Sequence, residues 1–212
     1  MNRNRTSNFL HFLSYLNSRR SILYEEFNKQ QELQKMMKPE NIQTFFQPIL
    51  SIENGSTIGF EVLNRPQRTP LFPSTEQFYD YVGKSKDVFK AEVFFRNLSF
   101  ERFSAQLKDL HADSRPLMFL NIQSQLLADP SYRRGTTLEL LEKYHISPHQ
   151  IVLELTEKEA VINYTEFERM ITHYRNQGFR VAVDDVGTGY NSLQTLLSVK
   201  PEFIKLDKSL IR

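Results

Sequence analysis

The 212 residues are 40% hydrophobic and 25% charged with a formal net charge of +2, which fits one sizeable globular core and argues against a nucleic-acid polymer as partner. There is no cysteine, so disulfide staples and thiolate metal sites are excluded, and His11, His111, His145, His149 and His173 fall at no metal-ligand spacing. No stretch approaches the roughly 18 to 20 apolar residues of a membrane span, and Arg3, Arg5 and His11 lead into no cleavable leader, so the expectation is a cytoplasmic protein.

Basic charge is enriched only at the front, where residues 1–40 carry 7 basic and 4 acidic side chains against 20 and 21 in residues 41–212. Residues 8–37 contain neither proline nor glycine, and Phe9, Leu13, Leu16, Leu23, Phe27 and Met37 recur at helical spacing. One long amphipathic helix is expected there, ended by Pro39, with a boundary that makes 1–38 an N-terminal helical segment and 39–212 the main domain. Arg20, Gln30 and Gln34 interrupt the apolar seam, which disfavours a stable coiled coil; dimerisation, docking to a partner and a linker role all stay open for this segment.

After Pro39 the pattern changes. "TFFQPILSI" and "STIGFEVLNRP" flank the turn "ENG" and predict a hairpin. Ser74 and Gln77 are spaced as a capping box before a helical pattern that continues to about Leu110. "PLMFLNI", "IVLELTE", "VAVDDVG" and "FIKLDKS" then each follow a helix-like segment, as repeated βα units would, so an α/β fold with a largely parallel sheet is expected.

Side chains alternate across a strand, so parity assigns faces. Phe60 and Val62 lie opposite Glu61, Leu120 and Ile122 opposite Asn121, and Leu153 and Leu155 opposite Glu154. Val181 and Val183 lie opposite Asp184, and Ile204 and Leu206 opposite Lys205 and Asp207. A single polar residue of this kind, such as a lone Glu at the end of a strand, is more often a surface or capping residue. Five strands repeating one rule point instead to polar groups converging on one face. Three or more carboxylates gathered in a buried place need a positive counterpart. Carboxylates with one amide oxygen favour a hard cation such as Mg²⁺ or Mn²⁺, a collection suited to metal-assisted attack of water on a phosphate ester.

"FFQPIL", "GFEVLNR", "FLNIQSQLL", "LELTE", "VDDVGTGYNSL" and "IKLDKSL" together resemble the EAL domain, the bacterial phosphodiesterase family that linearises cyclic di-GMP. The resemblance covers about residues 42–212 and implies a TIM-like (β/α)₈ barrel with an antiparallel first strand and a site at the C-terminal ends of its strands. It further implies that Glu61, Asn121, Glu154 and Asp184 hold one metal, with Asp184 and Asp185 reaching toward a second. Lys205 would orient or activate water, Asp207 would support that cluster, and Glu157 would brace the loop from Gly187 to Tyr190. Gln47, Leu63 and Arg65 occupy substrate-contacting positions.

Valine at position 62 stands in place of the usual alanine of the signature, on the outward face, and Gln123 replaces a small hydroxyl residue. By resemblance two further strands and another metal-binding or catalytic glutamate would follow Asp207. Their lack implies an incomplete second metal site and impaired hydrolysis by these 212 residues. The alternative is a non-catalytic module that binds cyclic di-GMP or a protein. A homodimer, or a partner engaged through the N-terminal helix, is implied by resemblance alone.

Overall fold

A computed structural model describes residues 14–107, 116–123, 126, 129, 131–133, 135–156, 164–187, 196–197 and 199–210. Helix α1 (Arg20–Met36) is preceded by a helical stretch at 14–18 and a break at Arg19; it stops before Pro39, which opens a 3₁₀ turn (Pro39–Asn41). Its upstream surface leaves Ile22, Leu23, Tyr24 and Phe27 exposed, whereas Leu33 and Met36 are buried.

Strands β1 (Ile42–Leu50) and β2 (Thr57–Pro66) form the predicted antiparallel hairpin, closed by Gly55 in the left-handed region and by Ser56 N–H donating to Asn54 Oδ1 at 2.9 Å. Two helices follow, α2 (Thr75–Lys84) and α3 (Val88–Gln106), where the sequence pattern reads as one. Ser74 caps α2, its hydroxyl accepting from Gln77 N–H at 3.2 Å. Ser85 then turns extended and donates its hydroxyl back to Val82 C=O, which ends α2 before Asp87 starts the next helix.

Strands β3 (Leu117–Asn121), β4 (Ile151–Thr156), β5 (Arg180–Val186) and β6 (Phe203–Leu206) continue the sheet in parallel, in the order β1-β2-β3-β4-β5-β6. Helices α4 (Thr136–Lys143) and α5 (Tyr164–Arg175) lie between successive strands. Among the described residues no helix is long and apolar enough to cross a membrane.

The two faces of the sheet differ as parity predicts. Val62, Met118, Leu120, Leu153, Leu155, Val181 and Val183 pack with Phe100, Phe103, Leu141, Met170 and Tyr174 of the helices in the main core. Burying each such side chain contributes about 1.5–3 kcal/mol. On the other face Phe119, Val152 and Ala182 form a smaller apolar layer with Ile49, Leu117 and Phe203. Gly59 allows β2 to approach β3 there, since a Cβ at that position would stand 2.7 Å from Leu117 O. That apolar layer is the floor on which the polar residues stand. A third cluster joins Leu33 and Met36 of α1 to Ile42, Phe72, Phe78, Val82 and Phe95, so the last turns of α1 share a core with α2 and α3.

Candidate functional site

Two residues further along each strand, on the same face, the floor gives way to polar and charged groups. Glu61, Glu154, Asp184 and Lys205 sit two positions beyond Gly59, Val152, Ala182 and Phe203, and Asn121 two beyond Phe119. Asn121 pairs directly with Glu154, and Glu61 with Gln47 on β1, whereas Glu61 is level with Phe119 on β3 and Asp184 with Thr156 on β4, so the polar residues step along the sheet by two positions at those two junctions.

Lys205 is the hub. Its ammonium lies 3.0 Å from Glu61 Oε2, 2.9 Å from Glu154 Oε1 and 2.9 Å from Asp184 Oδ2. It donates hydrogen bonds to Glu61 and Asp184, while the close contact with Glu154 lacks hydrogen-bond geometry. Asn121 Nδ2 reaches Glu61 Oε1 at 3.4 Å. Burial works against the charge on Lys205, but Glu154, Asp184 and Glu61 outweigh it and hold the ammonium above its usual pKa.

Glu154 is the strained member, with a side chain of 0% exposure. Burial pushes its carboxyl up to about 7, against the opposing pull of Lys205 and with Glu61 and Asp184 adding to the rise. Its Oε2 is buried without a hydrogen-bond partner. With all groups ionised the cluster carries three negative charges and one positive, so two negative charges remain uncompensated. An unpartnered buried carboxylate oxygen in an oxygen-rich, net-negative cluster fits a hard divalent cation. Among the described residues, however, no three such groups stand at a metal ion's ligand spacing; the carboxylates are closed around Lys205.

The double aspartate is resolved by a bulge. Val183 pairs with Ile204 and Val186 with Leu206, so Asp184 and Asp185 together face Lys205 alone. Asp185 takes a left-handed backbone, φ 57°, and donates its N–H to Asp184 Oδ1 at 2.8 Å. Strict alternation would send Asp185 to the opposite face; the extra residue removes that constraint. Gly187 follows at φ 104°, where a Cβ would stand 2.1 Å from Leu210 Cδ1.

The substrate-class positions lie around this cluster. Gln47 is exposed directly across from Glu61, while Leu63 and Arg65 line a cavity of about 490 Å³ that also touches Tyr79, Asn121, Gln123 and Thr156. Asp207 is not brought to Lys205: its carboxylate accepts from Ser209 N–H at 2.8 Å, and that bonding to Ser209 holds it below the usual carboxylate range. It caps the 3₁₀ turn Lys208–Leu210. Glu157 and most of the loop expected to run from Gly187 to Tyr190 lie outside the described residues.

Two buried charges escaped the sequence reading, Glu92 and Arg96 on α3. Their signal was available: an i,i+4 acid–base pair in a helix otherwise rich in Phe, with no broad polar face to receive it.

The sequence profile of the EAL domain matches residues 30–212. The chain is 29% identical over 180 residues to the probable cyclic di-GMP phosphodiesterase PdeB of Escherichia coli, covering 84% of this chain and 34% of that protein. Thus it spans about a third of that relative's length. The fold is similar to the PaMucR phosphodiesterase in complex with c-di-GMP (TM-score 0.71, 21% identity, 87% of this chain and 74% of that one). It is also similar to Klebsiella pneumoniae BlrP1 in its manganese and cyclic di-GMP complex (TM-score 0.64, 21% identity, 84% and 47%). The six strands described here are thus part of a TIM-like barrel with an antiparallel first strand, and the chain belongs to the EAL domain family.

Proposed function

We propose that this chain is a metal-dependent phosphodiesterase unit that hydrolyses cyclic di-GMP to linear pGpG. The observation that carries the reading is the net-negative cluster of Glu61, Glu154 and Asp184 around Lys205, with an unpartnered carboxylate oxygen on Glu154. The name of the relative PdeB and the manganese complex of BlrP1 support the same chemistry.

Glu61, Asn121, Glu154 and Asp184 would hold one Mg²⁺ or Mn²⁺, and Asp185, turned by the bulge, would serve a second. Bound there, the ions supply Lewis acidity toward the phosphoryl oxygens and lower the pKa of water. The residues of the chain do the remaining work. Lys205 keeps a fixed positive charge beside the carboxylates and can hold the attacking water in place. Arg65 lines the cavity and Gln47 stands across from Glu61; a guanidinium suits a phosphate oxygen and an amide suits a base edge or a ribose. Leu63 and the cavity wall at Tyr79 give an apolar surface for a nucleobase. Glu157 is assigned to bracing the loop after Gly187 by resemblance.

The test is incubation of the purified chain with cyclic di-GMP and Mn²⁺, following linear product. Turnover lost in Glu61→Ala is the expected result. Calorimetric binding of cyclic di-GMP without product would select the ligand-binding form of the non-catalytic module, and neither binding nor product would overturn both the hydrolase and that form.

A further inference from the structure

The β3 end that presents Asn121 is held from two sides. From the sheet, Ile122 N–H donates to Glu154 C=O at 3.1 Å; from the helix layer, Gln123 N–H donates to Glu92 Oε1 at 3.0 Å. Glu92 is 8% exposed and its other oxygen lies 3.3 Å from Arg96 Nε one helical turn on. Arg96, 6% exposed, is itself anchored by donating Nη1 to Thr137 Oγ1 at the start of α4 and to Tyr174 OH on α5 at 3.1 Å. A continuous polar chain therefore runs from two peripheral helices, through a buried ion pair, to the backbone two residues past Asn121.

A buried ion pair is poor evidence for stability, because desolvation offsets most of the attraction. If stapling α3 to α4 and α5 were its whole role, hydrocarbon would serve there, and Arg96 already bonds both neighbours without help from Gln123. The Glu92–Gln123 bond is the part that stapling leaves unexplained. It fixes a strand end whose side chain belongs to the polar cluster. Without it, a half-buried N–H loses its acceptor and the end of β3 is held by Ile122 alone.

We propose that Glu92 is a positioning residue: its carboxylate sets the backbone at Gln123 and so the placement of Asn121, and Arg96 holds that carboxylate in place. This rests on the reading of Asn121 as a ligand in the proposed function. What matters is the reach of the side chain, not its charge alone. Glu92→Asp keeps the charge and the partnership with Arg96 but is one methylene short of Gln123. Glu92→Gln keeps the reach and an acceptor oxygen but weakens the ion pair.

Mn²⁺ affinity by calorimetry and hydrogen exchange at the Gln123 amide are measured on both variants of the full chain, with melting temperature as the stability control. Glu92→Asp is expected to lose roughly tenfold in Mn²⁺ affinity, as outer-shell partners of metal ligands do, with faster exchange at Gln123. Glu92→Gln should stay within about threefold of wild type in affinity even where its melting temperature falls. The proposal is overturned if Glu92→Asp matches wild type in both readouts, or if Glu92→Gln loses as much affinity as Glu92→Asp. A wild-type chain that binds no Mn²⁺ removes the metal reading of the cluster and this metal-positioning role with it. Wild-type binding with unchanged variants sinks the positioning role alone.

Discussion

Two buried ionic centres stand on opposite sides of the sheet, and their charge balance separates them. Arg96 faces one carboxylate, Glu92, and donates hydrogen bonds to Thr137 and Tyr174, so charge is matched one to one. Lys205 faces three carboxylates, one fully buried with an oxygen lacking a hydrogen-bond partner. The first arrangement is balanced in charge, although Arg96 Nη2 is buried without a hydrogen-bond partner. The second holds more negative charge than the fold requires, and such a surplus is where a cation and a charged reactant gain most.

The largest loss of stability is expected at the charge-balanced centre. Arg96→Leu leaves Glu92 buried without its partner and is expected to cost about 3–5 kcal/mol in a denaturant titration. A loss below about 1 kcal/mol would mean that the pair is solvated in solution, since exposed pairs contribute no more. At the unbalanced member Glu61→Ala should leave the fold intact but lower hydrolysis at least about hundredfold, the upper range for loss even of an outer-shell partner.

A pH titration sharpens the contrast. Glu154 has its carboxyl raised to about 7 in the folded chain, from 4.5, with Lys205, Glu61 and Asp184 as its charged neighbours. The fold therefore binds that proton more tightly than the unfolded chain, and its contribution, present below about 4.5, is lost as pH rises through about 7. Metal-free protein should become less stable across that window, by urea midpoint, and Mn²⁺ should reverse the loss. Glu154→Gln should flatten the pH dependence and abolish the Mn²⁺ effect; an unchanged profile would locate the titration elsewhere. The smallest effect is expected far from both centres, where Ser74→Ala removes the cap of α2 and costs about 1 kcal/mol with hydrolysis unaltered.

Much of this was legible in the sequence where a rule is local. Alternation placed Glu61, Glu154 and Asp184 opposite the hydrocarbon of their own strands, and "ENG" marked the hairpin. The break between α2 and α3 was missed because Ser85 and Asp87 carry ordinary helix-compatible neighbours; only the extended backbone at Ser85 ends the helix. Asp207 was read with the cluster on parity, yet its carboxylate accepts from Ser209 N–H two residues on, and that local bond directs it.

By itself the sequence determined the hairpin and the succession of βα units, the faces of Glu61, Glu154 and Asp184 and membership in a family whose motifs it carries, because those follow from period, turn chemistry and residue identity. The meeting of Lys205 with Glu61, 144 positions apart, was decided by the tertiary structure, as were the bulge that frees Asp185 from alternation and the burial that raises the carboxyl of Glu154. Distances, desolvation and charge sums belong to all neighbours at once, and a linear pattern specifies none of them until the sheet has brought its strands side by side.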